Sequence, residues 1–278
     1  MRWKLGTVET TERMEIPEMR QGAAESFCQQ LGRTSLVLGR ALHRSGAETY
    51  RIEDSVAYFL LASGMEDVEI FAVANYLAVH FRNQESSYSF AARLRVRSSN
   101  LDQLDHINDL CRRYCAEPFE LRRFDMELKQ ITESRGYPLW LCSLATGVAS
   151  AAFATLLGTP PLHALWGIPI GVLMYLMLDL LKRYHSHPIF LSFVGSALIS
   201  TCAVLLNRLG LITTSEMGQL SIGALMNLVP GLTLTNAIRD LIASDYLSGL
   251  SNLAEAFLTS TCLALGTGSV LGLASLIG

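Results

Sequence analysis

Four stretches of this chain, 138–157, 162–181, 188–207 and 256–277, are apolar for about the 20 residues needed to cross a bilayer; only the second contains a charged residue, Asp179, near its end. A buried helix could imitate one such run. Several in succession, joined by loops as short as GTPP, exclude a water-facing core and predict a polytopic helical membrane domain. A fifth run, 217–241, is interrupted by Pro230-Gly231 and turns polar, as NLVPGLTLTNAIRDL (227–241) shows. With that run, the expected count is five spans.

Charge divides the chain in two. Of 47 charged residues only nine fall from Pro138 onward, so the boundary is placed near Gly136. The expected organisation is a flexible N-terminal tail over 1–24, a cytoplasmic α+β domain over 25–135 and a transmembrane domain over 136–278. Lys and Arg are retained on the cytoplasmic side. Arg122, Arg123, Lys129 and Arg135 precede the run at 138–157, Lys182 and Arg183 follow that at 162–181 and Arg239 lies at the end of that at 217–241, against Arg208 alone on the other side. This predicts a multi-pass membrane protein with its N-terminus in the cytoplasm and its C-terminus outside. The first residues have no apolar core of a secretory signal. A net charge of −3, spread over both signs, gives no basic surface for nucleic acid.

Within the first half, helical periodicity over 25–65, interrupted at Ser45-Gly46, predicts two helices. VEIFAVANYLAVHFR (68–82) and YSFAARLRVR (88–97) read as a two-stranded hairpin, and 101–115 and 117–135 as further helices. GxSxG, HExxH and phosphate-loop motifs are absent, and His43, His80 and His106 form no recognisable ligand set, so neither a metal nor a cofactor is expected. The six cysteines are scattered and read as reduced packing residues, including Cys111 and Cys115 one helical turn apart. SGAETYRIED (45–54) is the densest polar cluster: Gly46 can stop a helix, and Glu48 and Arg51 can pair at i, i+3, with Glu53 and Asp54 following.

The break at Pro230-Gly231 frees backbone groups that only protein or a water-filled cavity can satisfy, and broken helices of this kind build transporter sites. A half-helix starting near Thr233–Thr235 would aim its N–H groups and positive dipole end at a substrate carboxylate. Asn227, Pro230, Gly231, Thr233, Thr235, Asn236, Arg239 and Asp240 are the expected pathway residues, the last three sharing one helical face at i, i+3 and i+4. The bland alternative is the cytoplasmic end of a span with Arg239 at the headgroups. Asp240, Asp245 and Glu255 are the candidates for proton coupling, because burial raises a carboxyl toward neutrality. Asp179, beside Lys182 and Arg183, reads as an interfacial ion pair. Gly167-x-x-x-Gly171 and Gly268-x-x-x-Gly272 offer close-packing faces, within the chain or toward another.

SGAETYRIED and VPGLTLTNAIRDLIASDYLSGL (229–250), with the α+β domain, resemble the threonine/serine exporter family over roughly 27–278. The matching positions are Gly46, Glu48, Arg51, Pro230, Gly231, Asn236, Asp240 and Gly249. The chain looks like the larger, YjjP-like component of the two-chain branch, since it ends after the run at 256–277; that component would sit in a bacterial inner membrane with its C-terminus in the periplasm. The resemblance implies export of small polar metabolites, amino acids such as threonine and serine or dicarboxylates such as succinate. It also implies a small YjjB-like membrane partner; a further copy of the chain is another possible partner. With no nucleotide motif, a proton gradient is the expected energy source. The rival readings are a membrane-tethered hydrolase, for which nothing in the motifs speaks, and a scaffold gating another channel.

Overall fold

The computed structural model describes residues 21–276 apart from 85, 95–99, 135 and 185–186, so most of the expected N-terminal tail lies outside the described residues. Two compact units form. The first comprises residues 21–134 together with Asp240–Ser248, and the second residues 136–239 and 249–276.

In the first unit, α1 (Gln21–Ser45) and α2 (Thr49–Ala62) precede an antiparallel sheet of β1 (Glu66–Val73), β2 (Tyr76–Asn83) and β3 (Ser86–Arg93), followed by α3 (Leu101–Ala116) and α4 (Leu121–Glu133). The sheet order is β1-β2-β3. The expected hairpin is therefore three strands, because the segment that reads as one strand from 68 to 82 reverses at Ala74-Asn75, where Val73 pairs with Tyr76. Alternation decides which face is covered. Ala72, Leu77, Val79, Phe81 and Ala92 point inward and are buried, whereas Glu69, Phe71, Tyr76 and Ala91 face outward. Helix α1 lies close on this inner face, since side chains at Gly32 and Gly39 would overlap Phe90 and Leu77. Phe59, Tyr114 and Phe124 close the core with ring centroids 4.7–5.0 Å apart. Cys111 lies in this core, where burial first and the neighbouring Cys115 second push its thiol up to about 12, in keeping with an unreactive packing residue.

The second unit is helical: α5 (Leu139–Leu156), the short α6 (Pro161–Ala164), α7 (Gly167–Arg183), α8 (Pro188–Arg208), α9 (Thr214–Leu225), most of α10 (Gly231–Ile242) and most of α11 (Tyr246–Leu276). Its packing is inverted relative to a water-soluble domain. On α5 the buried residues are Ser143, Gly147, Ser150, Ala151 and Ala154, while Trp140, Leu144 and Val148 face outward. Small groups inside and large apolar groups outside suit lipid, where close backbone packing and not water exclusion joins helices. Gly167 and Gly171 on α7 meet this face: a Cβ at Gly171 would stand 2.5 Å from Ser150 Oγ and 2.8 Å from Gly147 Cα. The first GxxxG motif is thus an intrachain contact. The second is open, with nothing within 4 Å of a Cβ at Gly268 or Gly272.

Among the described residues, four helices are long and apolar enough to cross a membrane: Leu139–Leu156, Pro161–Arg183, Pro188–Arg208 and Tyr246–Leu276. The fifth expected span takes a different form. The region 217–241 is divided between two helices of 12 residues each, α9 and α10, and at 1.5 Å per residue neither spans the hydrocarbon alone.

Candidate functional site

The polar cluster at 45–54 begins with a helix stop. Gly46 adopts φ 93°, its N–H donates to the His43 carbonyl, and the Ala47 N–H donates to the Leu42 carbonyl. This pair of hydrogen bonds ends α1, and the left-handed φ explains a glycine there. The chain then turns into α2 with Glu48 at the N-cap, where its carbonyl accepts from the Ile52 N–H. Glu48 and Thr49 are buried, and Arg51, largely exposed, pairs with Glu48 at 2.9 Å.

Helical spacing places Thr49, Ile52, Val56 and Phe59 on the buried side of α2, with Glu53 on its flank. Glu53 Oε1 accepts the Ala72 N–H of β1 at 2.8 Å, tying α2 to the sheet. The segment Asp240–Ser248 packs into the same unit. Asp240 is fully buried, and its Oδ2 accepts a long hydrogen bond of 3.4 Å from Thr49 Oγ1, although 191 residues separate the two in sequence. Asp245 is half-buried and Ser248 is buried. A second helix stop shapes this segment: Ser244 takes φ 72°, its N–H donates to the Leu241 carbonyl, and the Asp245 N–H reaches the Asp240 carbonyl at 2.8 Å.

The electrostatic result is legible at Glu53. Burial holds its carboxyl above the ordinary range, the Ala72 N–H pulls it down, and Asp245, Asp54 and Asp240 add to the rise. Asp54, more open to solvent, is also raised through partial burial. A carboxyl so placed can take up and release a proton closer to neutral pH than one on an open surface. Of the three expected coupling candidates, Asp240 is fully buried, Asp245 half-buried and Glu255 exposed.

The remaining pathway residues lie around the break. Asn227 donates to Ser150 Oγ on α5 at 2.9 Å and to the Ala224 carbonyl at 3.2 Å. Pro230 precedes α10, whose first residue is Gly231, two positions before the expected start at Thr233. The Leu234 N–H already bonds the Pro230 carbonyl, and Thr235 Oγ1 donates to the Gly231 carbonyl, so the helix is formed through Thr233 and Thr235. Within the expected shared face, Asn236 and Asp240 are buried at i, i+4, while Arg239 is exposed. Asp179 pairs with Arg183 at 3.1 Å.

Sequence reasoning passes over Thr49 and Ser150, the partners of Asp240 and Asn227. Thr49 stands inside the polar cluster, but a hydroxyl in a helix's first turn reads as an ordinary start. Ser150 has no signal beyond being polar in an apolar run.

No curated protein and no solved structure matches the chain. Residues 33–274 do match one family, ThrE, described as a threonine/serine exporter. The match takes in the polar cluster at 45–54, the four membrane-length helices and the break at Pro230-Gly231, and the chain belongs to the ThrE threonine/serine exporter family.

Proposed function

We propose that the chain is the larger subunit of a two-component secondary exporter, driven by the proton gradient, that moves threonine, serine or small dicarboxylates such as succinate out of the cytoplasm. The observation that carries the reading is the convergence of the two motif regions in one unit, where Thr49 bonds Asp240 and the charges of Asp240 and Asp245 act on Glu53. A proton carrier needs a carboxyl whose hydration changes during the cycle. Asp240 is the coupling residue in this reading, Glu48 and Arg51 brace the turn that sets Thr49 in place, and Asp245 is the second acidic group. Glu255, exposed on α11, is the weakest of the three candidates.

Recognition falls to the broken region. Gly231 begins α10, so the positive end of the helix suits a substrate carboxylate, with Asn227 and Asn236 supplying amide contacts. Arg239 balances charge near the end of α10. The N-terminal domain is cytoplasmic, as the Lys and Arg around the runs require, and the C-terminus is periplasmic with α9 and α10 together counted as one passage. A small YjjB-like subunit completes the pathway.

The test is efflux from proteoliposomes holding the chain with and without the partner, loaded in turn with threonine, serine and succinate. Proton-driven efflux is expected with both chains present and not with this chain alone. Asp240→Asn keeps the shape of the side chain but removes its titration, so gradient-driven efflux should vanish while exchange at equal gradients survives. Parental efflux by the Asp240→Asn complex at matched expression sinks the assignment of Asp240. Equal transport by the single chain sinks the two-component reading.

A further inference from the structure

A further ionisable pair lies in the helical unit, outside both motif regions. His163 on α6 and Glu216 on α9 are 53 residues apart in sequence, and His163 Nδ1 stands 2.8 Å from Glu216 Oε1. Glu216 is buried, an uncommon setting for a carboxylate in a membrane bundle unless it is paired or functional. Its other oxygen, Oε2, accepts the Thr213 N–H at 2.7 Å, and Thr213 Oγ1 in turn accepts the Glu216 N–H, a capping box that fixes the start of α9. One carboxylate therefore joins the first turn of α9 to the turn between α5 and α7.

Among the described residues the neighbours are neutral. Thr159 is buried and donates to Gln219 Oε1 at 3.2 Å, and Gln219 also stands beside Gly158. Arg208, at the end of α8, is engaged with the Ala274 carbonyl at 3.0 Å. Glu216 is thus the charged group facing the imidazole. The capping box explains one carboxylate oxygen; it does not require a histidine on the other. The His163 side chain is about a third open, 37% against 11% for Glu216, so water can deliver a proton to the ring while the carboxylate stays sheltered.

The geometry points to a proton-binding latch: His163 and Glu216 hold α6 to the start of α9 as a charged pair when the imidazole binds a proton, and as a weaker hydrogen bond from a neutral imidazole to the carboxylate when it does not. In the protonated form both ring nitrogens carry hydrogen, Nδ1–H donates to Oε1, and the bond is charge-assisted from both sides. When Nε2 gives its proton to water, the Nε2–H bond breaks, its electron pair stays on the nitrogen and water leaves as hydronium, so the charge on the imidazole side of the contact is lost. The loops that join α5 to α7 and α8 to α9 lie at one end of the helical unit, so the latch closes that end in the presence of protons. Its use in transport rests on the exporter reading above: an antiporter that admits protons from one side gains directionality if protonation closes that side behind them.

The latch itself is tested without substrate. Hydrogen exchange of the Thr213, Glu216 and Met217 amides is measured on the full chain in detergent at about pH 5.5 and about pH 8, the window in which an imidazole changes charge, with rates converted to protection factors. Protection should be several-fold higher at the lower pH. His163→Gln should abolish the step. Glu216→Gln should also abolish it while leaving the start of α9 protected, because glutamine still serves the capping box. A pH step that persists in either variant, or is missing from the unmodified chain, overturns the proposal. Should His163→Gln misfold, Glu216→Gln alone decides between the latch and a purely structural cap. Failure of efflux in the two-chain assay leaves this readout intact, so the two proposals fall separately.

Discussion

Glu53 shows how one side chain answers to several masters. Its carboxyl is lifted by burial and by three acidic neighbours, and its hydrogen bond to Ala72 pulls only partly the other way. The folded state therefore binds a proton more readily than the unfolded chain. The associated stability is fully present below the unfolded value near 4.5 and is lost as pH rises through the higher folded value. Glu53→Gln keeps an acceptor for the Ala72 N–H and removes the titration. Compared with the parent, the variant should gain thermal stability at pH 7 relative to pH 4, read from unfolding of the full chain in detergent at both pH values; an unchanged difference between the two refutes the shift. Ser244 supports a second prediction. A non-glycine residue at φ 72° gives up roughly 1–2 kcal/mol to backbone strain, whereas glycine loses about 0.5–1 kcal/mol of extra chain entropy on folding. Strain outweighs entropy, so Ser244→Gly should stabilise the segment by about 0.5–1 kcal/mol, visible as slower exchange of the Asp245 amide.

Elements are legible where punctuation residues mark them. Gly46 ends α1, Pro230-Gly231 separates α9 from α10, and the two helices around Ser45-Gly46 follow from periodicity. Ala74-Asn75 carries neither glycine nor proline, so the turn between β1 and β2 leaves no mark and two strands read as one. Burial divides the face of Asn236, Arg239 and Asp240 in a way the sequence does not show. Helical geometry groups i, i+3 and i+4, but which flank of the group is covered depends on tertiary neighbours, and here Arg239 lies on the open flank. The pairings of Thr49 with Asp240 and of Asn227 with Ser150 join positions remote in sequence, for which a single sequence carries no local signal. The two glycine motifs, identical on paper, are distinguished by packing alone. Gly167→Ala would bring a methyl to 2.7 Å from the Ala151 nitrogen and should cost about 1–3 kcal/mol. Gly272→Ala, with open space around it, should leave the chain at parental stability or slightly above, since alanine is the better helix former. Thermal unfolding of both variants in the same detergent checks the contrast.

On the scale of the whole molecule, the first unit is discontinuous: residues 21–134 are completed by Asp240–Ser248, with most of the second unit lying between them in sequence. A chain cut after residue 134 would lack Asp240 and the turn at Ser244. Amide exchange through Thr49–Glu53 should then be faster than in the full chain, by a factor that Thr49→Val in the full chain reproduces in part. Equal exchange in the fragment and the full chain would show that Asp240–Ser248 adds nothing to α2. The same discontinuity sets a clock during synthesis. A ribosome adding about 5–20 residues each second needs roughly 10–40 s to travel from Thr49 to Asp240. Through that interval Thr49 waits in water without its carboxylate acceptor, so the unit that leaves the ribosome first is finished late, after α5, α7 and α8 have been made.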